Sequence, residues 1–348
     1  MSENKEKLLV ALACDKGFAP HSGVVIESLL ASTKGARPIE IHILDGGIRA
    51  IDRYRLKSFE RRYSNCRISL FDASGSFEQM SSNKAMNFSR ATYYRFLLPK
   101  LLPDESRILY LDSDLIVLDD LFELFSTDLG SCPIAACQDL GMKCMVRNEH
   151  RTPETLDSLP AGEYLEKYLG FSPEQISSYF NAGVLLMDLD KLREICFEEK
   201  VEALSKKHDK AFWFLDQDVL NSIFLGSYHS LDWKWNFQTF DLKSIRSHAP
   251  SSLEPYQKAE QDAKVIHYVG VGNKPWLFPG NDRSHFYWYH LRSTPWYEEV
   301  FAEQILAKQL SKMEKRLDKK ANERLVYYMQ RYSWRSRVKR FVKRILKR

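Results

Sequence analysis

Short apolar runs alternate with amphipathic segments over most of the chain, and each kind of run predicts its own element. Nearly continuous apolar runs are typical of buried strands in parallel sheets, whereas apolar positions spaced three and four residues apart are typical of helices. The runs predict strands over 8–13, 39–44, 67–71, 107–111, 133–137, 181–189 and 264–268. The spaced positions predict helices over 22–34 (with Ser22 as N-cap), 49–63, 89–98, 189–206 and 215–225.

The order of these elements predicts the fold class. Strands that alternate with helices form an α/β fold, so we expect a doubly wound, mostly parallel sheet whose Rossmann-like N-terminal half binds a nucleotide. The sequence has no Gly-x-Gly-x-x-Gly and no Walker loop, which excludes a dinucleotide Rossmann site and a P-loop. We expect 138–178 to be irregular or helical, as a flap over the site, and 226–263 to be rich in loops.

Two carboxylates stand one residue apart where the strand over 107–111 ends. Asp112 and Asp114 should lie at the sheet edge where open α/β sheets bind their ligands, with both side chains on the same side of an extended backbone. Such carboxylates repel each other unless a hard divalent cation binds them, and that cation keeps open positions for phosphate oxygens. The pair therefore indicates a metal site, and the alternative interpretation is an acidic loop.

Three later segments carry side chains that fit the same chemistry. His267 follows the last predicted strand, and one imidazole with two carboxylates suits Mn²⁺ or a similar ion. Lys274 precedes Pro-Trp and would be a cation on a rigid turn, able to meet a pyrophosphate. Asp216 and Gln217 open a predicted helix, and Asn181 enters a strand through small residues. Taken singly, each also has an ordinary interpretation, such as a solvated lysine or helix-capping acids favoured by the helix dipole.

Composition and charge narrow the class of protein. The 348 residues are 44% hydrophobic and 13% aromatic, which is enough for a substantial core. Residues 319–348 hold twelve Lys or Arg and one acid, and this tail charge of +11 within a total of +5 leaves −6 for the first 318 residues. A mildly acidic body argues against a nucleic-acid-binding surface, so no nucleic-acid partner is expected.

Cysteine usage and hydropathy predict the compartment. The six cysteines form no Cys-x-x-Cys pair and no dense framework, which is typical of reduced thiols in a cytosolic protein. We expect no signal peptide and no transmembrane helix, since no run approaches 18 apolar residues. The expected location is therefore cytoplasmic.

Several motifs occur together in a fixed order. They are Asp112-Ser113-Asp114, the segments 180–186 and 215–221, and His267 followed by Lys274-Pro275-Trp276, with Ala13-Cys14-Asp15 and the segment 91–95 ahead of them. This order resembles the signature of glycosyltransferase family 8 over about residues 8–277. The likeness is closest to bacterial galactosyl- and glucosyltransferases of the lipooligosaccharide and lipopolysaccharide outer core.

The resemblance implies a GT-A fold and a hexosyltransferase that depends on Mn²⁺, with Mg²⁺ as the alternative metal. Galactose or glucose would pass from a UDP-sugar to a saccharide or lipid-linked saccharide, with retention of configuration, in the synthesis of a surface glycan such as lipopolysaccharide. Asp112, Asp114 and His267 would hold the metal, and Asp139 would lie on the acceptor side. The donor would meet Asp15 at the uracil edge, Phe18 on the uracil ring, Asp112 at the ribose, Arg95, Asn181, Asp216 and Gln217 around the hexose, Lys274 at the diphosphate, and also Ser113, Ala182 and Gly270.

Two departures from the family pattern affect these expectations. Gly17 replaces a polar residue often found near the ribose, so one hydrogen bond to the donor is lost. The loop from His267 to Lys274 is one residue longer than the common form, which bears on the diphosphate role of Lys274.

Gln217 and Asp216 are the predicted catalytic residues. Breaking the anomeric bond builds an oxocarbenium-like sugar and pushes negative charge onto UDP. Gln217 is a poor nucleophile, so we expect a front-side route in which the leaving phosphate helps to deprotonate the acceptor and the amide stabilises the cation. Double displacement through a glycosyl-enzyme is the alternative mechanism. The alternatives for the protein are a transferase of the same fold acting on a protein-linked or capsular glycan, and a catalytically silent nucleotide-sugar-binding protein.

The last residues predict a membrane-associating helix. Trp334, Val338, Phe341, Val342, Ile345 and Leu346 recur at three- and four-residue spacing, and Lys and Arg fill most of the other positions. Such a helix lies in the interface of an anionic membrane, each cation adding roughly 1 kcal/mol; a solvated tail or a partner-binding helix is the alternative. We expect a catalytic domain over 1–280 and a helical, basic-aromatic region over 281–348 that binds the inner face of the cytoplasmic membrane peripherally.

Overall fold

The fold is that of a computed structural model, which describes residues 7–78, 90–207, 212–306, 319, 320, 323 and 324. Seven strands form the main sheet, in the order β3-β2-β1-β4-β7-β6-β8, and three form a small second sheet, in the order β5-β10-β9. The strands are β1 Leu8–Cys14, β2 Ile39–Asp45, β3 Cys66–Asp72, β4 Arg107–Leu111, β5 Leu115–Val117, β6 Ile134–Gln138, β7 Phe180–Asp188, β8 His229–Leu231, β9 Phe237–Gln238 and β10 Val265–His267.

The predicted α/β class with a mostly parallel sheet is confirmed. β1 pairs in parallel with both β2 and β4, β2 with β3, and β6 with β8, so six of the seven strands run in one direction. β7 is antiparallel to both of its neighbours, β4 and β6. Its amino end therefore lies at the same sheet edge as the carboxyl ends of the other strands. This reversal carries the start of β7 to the edge where β4 delivers Asp112.

Helices connect the strands of the main sheet, as is typical of an α/β fold. Their bounds are α1 Ala19–Ser32, α2 Ala50–Lys57, α3 Phe59–Arg62, α4 Leu98–Leu101, α5 Phe122–Phe125, α6 Leu140–Arg147, α7 Ala161–Glu163, α8 Pro173–Ser177, α9 Leu189–Glu194, α10 Phe197–Lys207, α11 Asp216–Phe224, α12 Leu242–His248, α13 Leu253–Gln261 and α14 Ser284–Leu291. The structure also has 3-10 segments, which are Arg90–Leu97, Glu154–Leu156, Trp233–Trp235, Pro250–Ser252 and Val271–Asn273, and one π turn, Tyr164–Tyr168.

The first helix begins three residues earlier than predicted, and Ser22 is not its N-cap. Pro20 in the first turn favours a helix start there, and the carbonyl of Asp15 accepts the N–H of Ala19 at 3.1 Å. The hydroxyl of Ser22 lies buried, 2.8 Å from the hydroxyl of Ser113. The polar group that suggested a cap therefore joins α1 to the loop that carries the two aspartates.

Two further segments differ from expectation. The helix predicted over 89–98 is a 3-10 helix, Arg90–Leu97, followed by the single turn α4. The segment 226–263, expected to be loops, contains α12, α13 and two short strands. The start of α12 could have been predicted from the sequence, because Asp is a favoured N-cap residue. The side chain of Asp241 caps this helix by accepting the N–H of Ser244 at 3.1 Å. Residues 138–178 are helical in part, as predicted, since α6, α7 and α8 lie there.

The chain divides into two compact units, with the boundary after Trp296; the predicted functional division at residue 280 stays a prediction. In the first unit, Met1–Trp296, the indole of Trp296 is fully buried and its N–H donates to Oδ1 of Asp52 at 2.8 Å. Gly23 makes room for this ring, since a Cβ at that position would lie 2.4 Å from it. The second unit is Tyr297–Arg348, and the predicted membrane-binding residues 334–346 fall outside the part that the structure describes. Within the described residues, every helix is too short or too polar to span a membrane.

Candidate active site

The site forms where β4 and β7 meet at one sheet edge. The N–H of Asp112 donates to the carbonyl of Gly183 at 2.8 Å, so the two chain segments are held side by side just beyond the pairing of Leu111 with Val184. Glycine is required on β7 at this point, because a Cβ on Gly183 would lie 2.3 Å from Cε1 of His267. The close approach of β7 therefore places His267 beside the two aspartates.

Asp112, Asp114 and His267 each direct one ligand atom to a common point, with these atoms all within 4.8 Å of one another. His267 comes from the second sheet, where it pairs with Leu115 and its Nε2 lies 3.2 Å from Oδ1 of Asp114. Two carboxylate oxygens and one imidazole nitrogen form a set suited to Mn²⁺. The residues present therefore fit a divalent cation.

Lys274 contacts the same aspartate. Its Nζ pairs with Oδ2 of Asp114 and donates to the carbonyl of Tyr268 at 2.6 Å. Burial by itself would raise the pKa of Asp114, but opposing charge, above all that of Lys274, holds that pKa well below the usual range. Asp114 is therefore ionised at neutral pH, as a metal ligand must be.

The buried side chain of Arg95 contacts two of the predicted acids, Asp112 and Asp216. It is 1% exposed, its Nη2 donates to Oδ1 of Asp112 at 2.7 Å, and its Nε lies 3.2 Å from Oδ2 of Asp216. Burial raises the pKa of Asp216 to about 7, against the opposing charge of Arg95 and with the charge of Asp112 adding to the rise. The guanidinium also donates to the carbonyls of Thr92 and Ala182. Arg95 therefore fixes both carboxylates.

The side-chain amides of Asn181 and Gln217 form an amide cluster around the carboxylate of Asp139. Oε1 of Gln217 accepts from the N–H of Ala182 at 3.0 Å and from Nδ2 of Asn181 at 3.2 Å. Nε2 of Gln217 and Nδ2 of Asn181 both donate to Oδ2 of Asp139, at 3.0 and 2.9 Å. Asp139 also caps α6 by accepting the N–H of Met142. The side chain of Gln217 is thereby held in one orientation.

Gln217 follows a strained residue. Leu215, just ahead of α11, has φ of 46° and ψ of −113°, a conformation that favours glycine. Asp218 holds this turn in place, since its buried carboxylate accepts from the N–H of Phe214 at 2.8 Å and from the hydroxyls of Tyr164 and Tyr179 at 2.8 and 2.6 Å. The turn therefore fixes where α11 begins, and with it the positions of Asp216 and Gln217.

Two cavities, of about 420 and 190 Å³, flank the metal set. Every predicted site residue lines one or both of them, and their roles in binding stay predictions. The first cavity is lined by Asp15, Phe18, Arg95, Asp112, Ser113, Asp114 and Lys274. The second is lined by Arg95, Asp112, Asp114, Asp139, Asn181, Ala182, Asp216, Gln217, His267, Gly270 and Lys274. Because four of these residues line both cavities, the two form one groove with the metal set at its middle.

The first cavity has an aromatic wall that sequence reasoning found only in part. His21 stacks on Trp276 with ring centroids 3.7 Å apart, and its Nδ1 lies 2.7 Å from the hydroxyl of Tyr287. Phe18 meets both of the stacked rings edge-on. Burial lowers the pKa of His21 to about 3, with Lys274 adding to the effect, so the imidazole is neutral. Sequence offered no signal for His21, since it falls inside a helix that is buried along most of its length.

Two predicted donor-binding residues in the first cavity also bond to the protein itself. Oδ1 of Asp15 accepts the N–H groups of Gly17 and Phe18 at 2.9 and 3.2 Å. The hydroxyl of Ser113 donates to the carbonyl of Ala13 at 3.0 Å and lies beside Ser22. Oδ2 of Asp15 has no hydrogen-bond partner among the described residues, whereas Ser113 holds the aspartate loop on β1.

The second cavity has apolar walls that the sequence did not identify. They come from Met142, Met145, Phe214 and Phe240. A Cβ on Gly141 would lie 2.8 Å from Cζ of Phe240, so glycine lets this ring pack over the start of α6. Polar amides at one end and apolar side chains at the other suit a molecule with hydroxyls and an apolar face, such as a sugar ring.

Two curated proteins are similar to this chain in sequence. General stress protein A of Bacillus subtilis is 26% identical over 310 residues, which cover 84% of this chain and 96% of the relative. Lipopolysaccharide 1,2-glucosyltransferase of Escherichia coli is 26% identical over 219 residues, 61% of this chain and 57% of that protein, so the match spans little more than half of its length.

The crystal structure of the galactosyltransferase LgtC with donor and acceptor sugar analogues has the same GT-A fold, with a TM-score of 0.67 and 25% identity, over 83% of this chain and 96% of that one. The sequence model for glycosyl transferase family 8 matches residues 9–279. That span includes all the residues that form the groove and its metal set, so the chain belongs to glycosyl transferase family 8 and is a glycosyltransferase with a GT-A fold.

Proposed function

We propose that the protein transfers a hexose, galactose or glucose, from a UDP-sugar to a saccharide or lipid-linked saccharide, with retention of configuration and with Mn²⁺ as cofactor. Mg²⁺ is the alternative metal. The relative named lipopolysaccharide 1,2-glucosyltransferase and the fold shared with a galactosyltransferase support this class of donor and a surface glycan such as lipopolysaccharide as the product.

One observation carries the proposal: a divalent-cation set stands at the middle of a groove whose two ends differ in chemistry. The first cavity offers aromatic rings and Oδ2 of Asp15, which no described residue bonds, and these groups suit a base and its polar edge. The second offers Asp216 and Gln217 beside the metal set, which suit a sugar and its hydroxyls. A nucleotide diphosphate-sugar placed along the groove would have its phosphates at Asp112 and Asp114.

The residues around the phosphates would stabilise the leaving group. A bound Mn²⁺ supplies positive charge to the UDP that departs. Lys274 pairs with the metal ligand Asp114, and its Nζ would meet the diphosphate once Asp114 binds the metal. Because the pKa of Asp114 is low, its carboxylate is already ionised. It could therefore bind the metal, together with the imidazole of His267, without first losing a proton. Such preorganised charge is commonly the largest contribution to catalysis.

The residues on the sugar side favour the front-side route. Gln217 is held by Asp139 and Ala182, so its amide dipole has one orientation and would face the anomeric carbon of a donor bound in the second cavity. Asp216 is buried and paired with Arg95, and its ionised form would be an electrostatic partner of the cationic sugar. The leaving phosphate would then take the proton of the acceptor hydroxyl. A glycosyl adduct on Asp216, detected by mass spectrometry during turnover, would instead demonstrate double displacement.

The experiment that tests the function is Mn²⁺-dependent release of UDP from a panel of UDP-sugars. We expect hydrolysis of one UDP-hexose that stops with EDTA and in the Asp114→Asn variant. Asp128→Asn is the matched control, because Asp128 is an exposed acid away from the groove whose carboxylate accepts the local N–H of Gly130. If the protein binds UDP tightly but turns over no donor, alone or with glycan acceptors, it is a silent nucleotide-sugar binder.

The same panel, run with acceptors, identifies the glycan. Transfer to a lipooligosaccharide or lipopolysaccharide core supports the leading proposal, whereas transfer only to a protein-linked or capsular glycan supports the alternative acceptor class. Both outcomes retain the reaction and the donor.

We also propose that the basic-aromatic tail binds the inner face of the cytoplasmic membrane peripherally. The support is its sequence pattern, with a charge of +11 over 319–348. Full-length protein should co-sediment with anionic liposomes, and a chain ending at residue 318 should not. Equal co-sedimentation of both chains would contradict this attachment.

A further inference from the structure

Asn236 lies buried between the metal set and the amide cluster, and it belongs to none of the motifs recognised in the sequence. It follows the 3-10 turn Trp233–Trp235, precedes β9, and is fully buried. Its Oδ1 lies 2.9 Å from Nδ1 of His267, and its Nδ2 lies 2.8 Å from Oδ1 of Asn181. One side chain thus touches a metal ligand and a residue of the sugar side.

The direction of these hydrogen bonds is fixed by the backbone of β7. Oδ1 of Asn181 accepts the N–H of Gly183 at 2.9 Å, and a backbone N–H can only donate. The atom of Asn236 that faces this oxygen must therefore be the amide nitrogen. The carbonyl oxygen of Asn236 then faces His267, so Nδ1 of His267 must carry the proton. In the neutral ring this leaves the lone pair on Nε2, the atom that faces Asp114.

We propose that Asn236 is a positioning residue that sets the tautomer of His267 for metal binding and links the metal site to the sugar-binding amides. The link runs from His267 through Asn236 to Asn181, which donates to Oε1 of Gln217. A partner on the second nitrogen is what orients a metal-binding histidine and fixes which nitrogen can bind. The proposal deepens the proposed function and rests on its metal site.

Each amide in this link has little freedom to turn over. Asn181 is held by Gly183 and Asp139 as well as by Asn236, and Gln217 is held by Ala182 and Asp139. Reversing Asn236 alone would place its oxygen against the oxygen of Asn181 and its NH₂ against Nδ1–H of His267. A fully satisfied buried network of this kind specifies one arrangement. A shift of His267 on metal binding is therefore transmitted to Asn181.

The first test reads the tautomer directly and needs neither metal nor substrate. In protein labelled with ¹⁵N-histidine, a His267→Gln variant assigns the ring signals of His267. We expect Nδ1 of His267 to carry a proton in the wild type, whether or not Nε2 also carries one towards Asp114, and to lose the preference for that proton in Asn236→Ala. Asn221→Ala is the control, because Asn221 is an equally buried amide that bonds to the backbone of Phe180 and Gln217 instead of to His267; its variant should keep the proton on Nδ1. An unprotonated Nδ1 in the wild type would overturn the proposal, whether or not the protein transfers sugar.

The second test separates the two contacts of Asn236. Asn236→Ala should weaken Mn²⁺ binding about 10- to 100-fold, measured from the electron paramagnetic resonance signal of free Mn²⁺, with UDP affinity in EDTA unchanged. Asn236→Asp keeps an acceptor for His267 but sets a carboxylate oxygen against Oδ1 of Asn181. It should therefore retain Mn²⁺ affinity while kcat falls about tenfold. A purely structural role would lower thermal stability in both variants without this split, and that result would also overturn the proposal.

These readouts distinguish the inference from the proposed function. If His267 has the expected tautomer and Mn²⁺ binds as described, but no donor is turned over, the transferase proposal fails and the role of Asn236 stands. If turnover needs Mn²⁺ but Asn236→Ala binds the metal as tightly as the wild type, the role of Asn236 fails and the transferase stands.

Discussion

Lys274 and Asp114 form an ion pair within the metal set itself. The carboxylate that a divalent cation needs is already neutralised by an ammonium group, and the two cations repel each other at close range. On the proposed function, a metal ion would therefore compete with Lys274 for Asp114, and the diphosphate of the donor would be the group that receives the ammonium. The pair would then couple metal binding to donor binding.

Lys274→Met should consequently bind Mn²⁺ more tightly than the wild type when no nucleotide is present. We expect a gain of about tenfold, since a like charge within a few ångströms shifts such equilibria by an amount of this order. The KM for the donor should rise in the same variant, because the ammonium no longer meets the diphosphate. Titration of Mn²⁺ followed by paramagnetic resonance measures the first effect, and steady-state kinetics the second.

Lys264→Met is the matched control for Lys274. Lys264 is also an ion-paired lysine, but its partners Asp119 and Asp262 lie outside the groove. Its variant should leave Mn²⁺ affinity unchanged. Weaker Mn²⁺ binding in Lys274→Met would contradict the competition between the two cations.

Gly183→Ala should displace His267 and abolish metal-dependent turnover. The added Cβ would lie 2.3 Å from Cε1 and 2.7 Å from Nδ1 of the imidazole, so the ring or β7 must move. We expect Mn²⁺ affinity to fall at least about tenfold. Gly162→Ala, where the added Cβ meets only Cγ1 of Val146 at 3.6 Å, should be close to wild type. Normal Mn²⁺ affinity in Gly183→Ala would show that the close approach is not needed.

Acid should destabilise the protein partly through His21. Its pKa in the folded chain is lowered to about 3, against an ordinary value near 6.5, and the groups around it are Tyr287, Lys274 and Asp114. Below pH 6.5 the unfolded chain takes up a proton that the folded chain excludes. Stability is therefore fully present above that pH and is lost as the pH falls towards 3. The loss between pH 7 and 5 should be about 2 kcal/mol from this residue.

Urea unfolding of His21→Gln across that pH range measures this contribution. The variant should have a flatter pH dependence than the wild type by that amount, whatever its stability at pH 7. His285→Gln, at an exposed position, should retain the wild-type slope. Equal slopes in the wild type and His21→Gln would mean that His21 is protonated in the fold.

Asp218 should be essential for stability although it does not line the groove. Its carboxylate is fully buried and accepts from two tyrosine hydroxyls, so Asp218→Asn sets an NH₂ group against donors. We expect a loss of about 2–3 kcal/mol in the free energy of unfolding, and about 1–2 kcal/mol for Tyr179→Phe. Denaturant unfolding measures both, with Tyr289→Phe, 71% exposed, as the neutral control. A neutral Asp218→Asn would exclude this carboxylate as the anchor of the turn at Leu215.

Much of the candidate site could be predicted from the sequence because its residues stand at the ends of strands and helices. Asp112, Asp114, Asn181 and Gln217 each follow or open a predicted element, and the structure brings them to one sheet edge. The antiparallel direction of β7 was not predicted. A nearly continuous apolar run has the same hydrophobic pattern in both chain directions. Only the pairing with neighbouring strands therefore decides at which edge of the sheet its first residues lie.

Hydrophobic periodicity and motif order in the sequence determined the α/β fold, the family and the polar residues at the centre of the groove. Periodicity reports which face of an element is buried, and strand ends collect at sheet edges, so both are local properties of the chain. Only the tertiary structure decided which side chains contact each other. It placed His21 on Trp276, Asn236 between His267 and Asn181, and Lys274 on Asp114. Such contacts join residues far apart in the chain, and their hydrogen-bond directions depend on packing that no local pattern encodes.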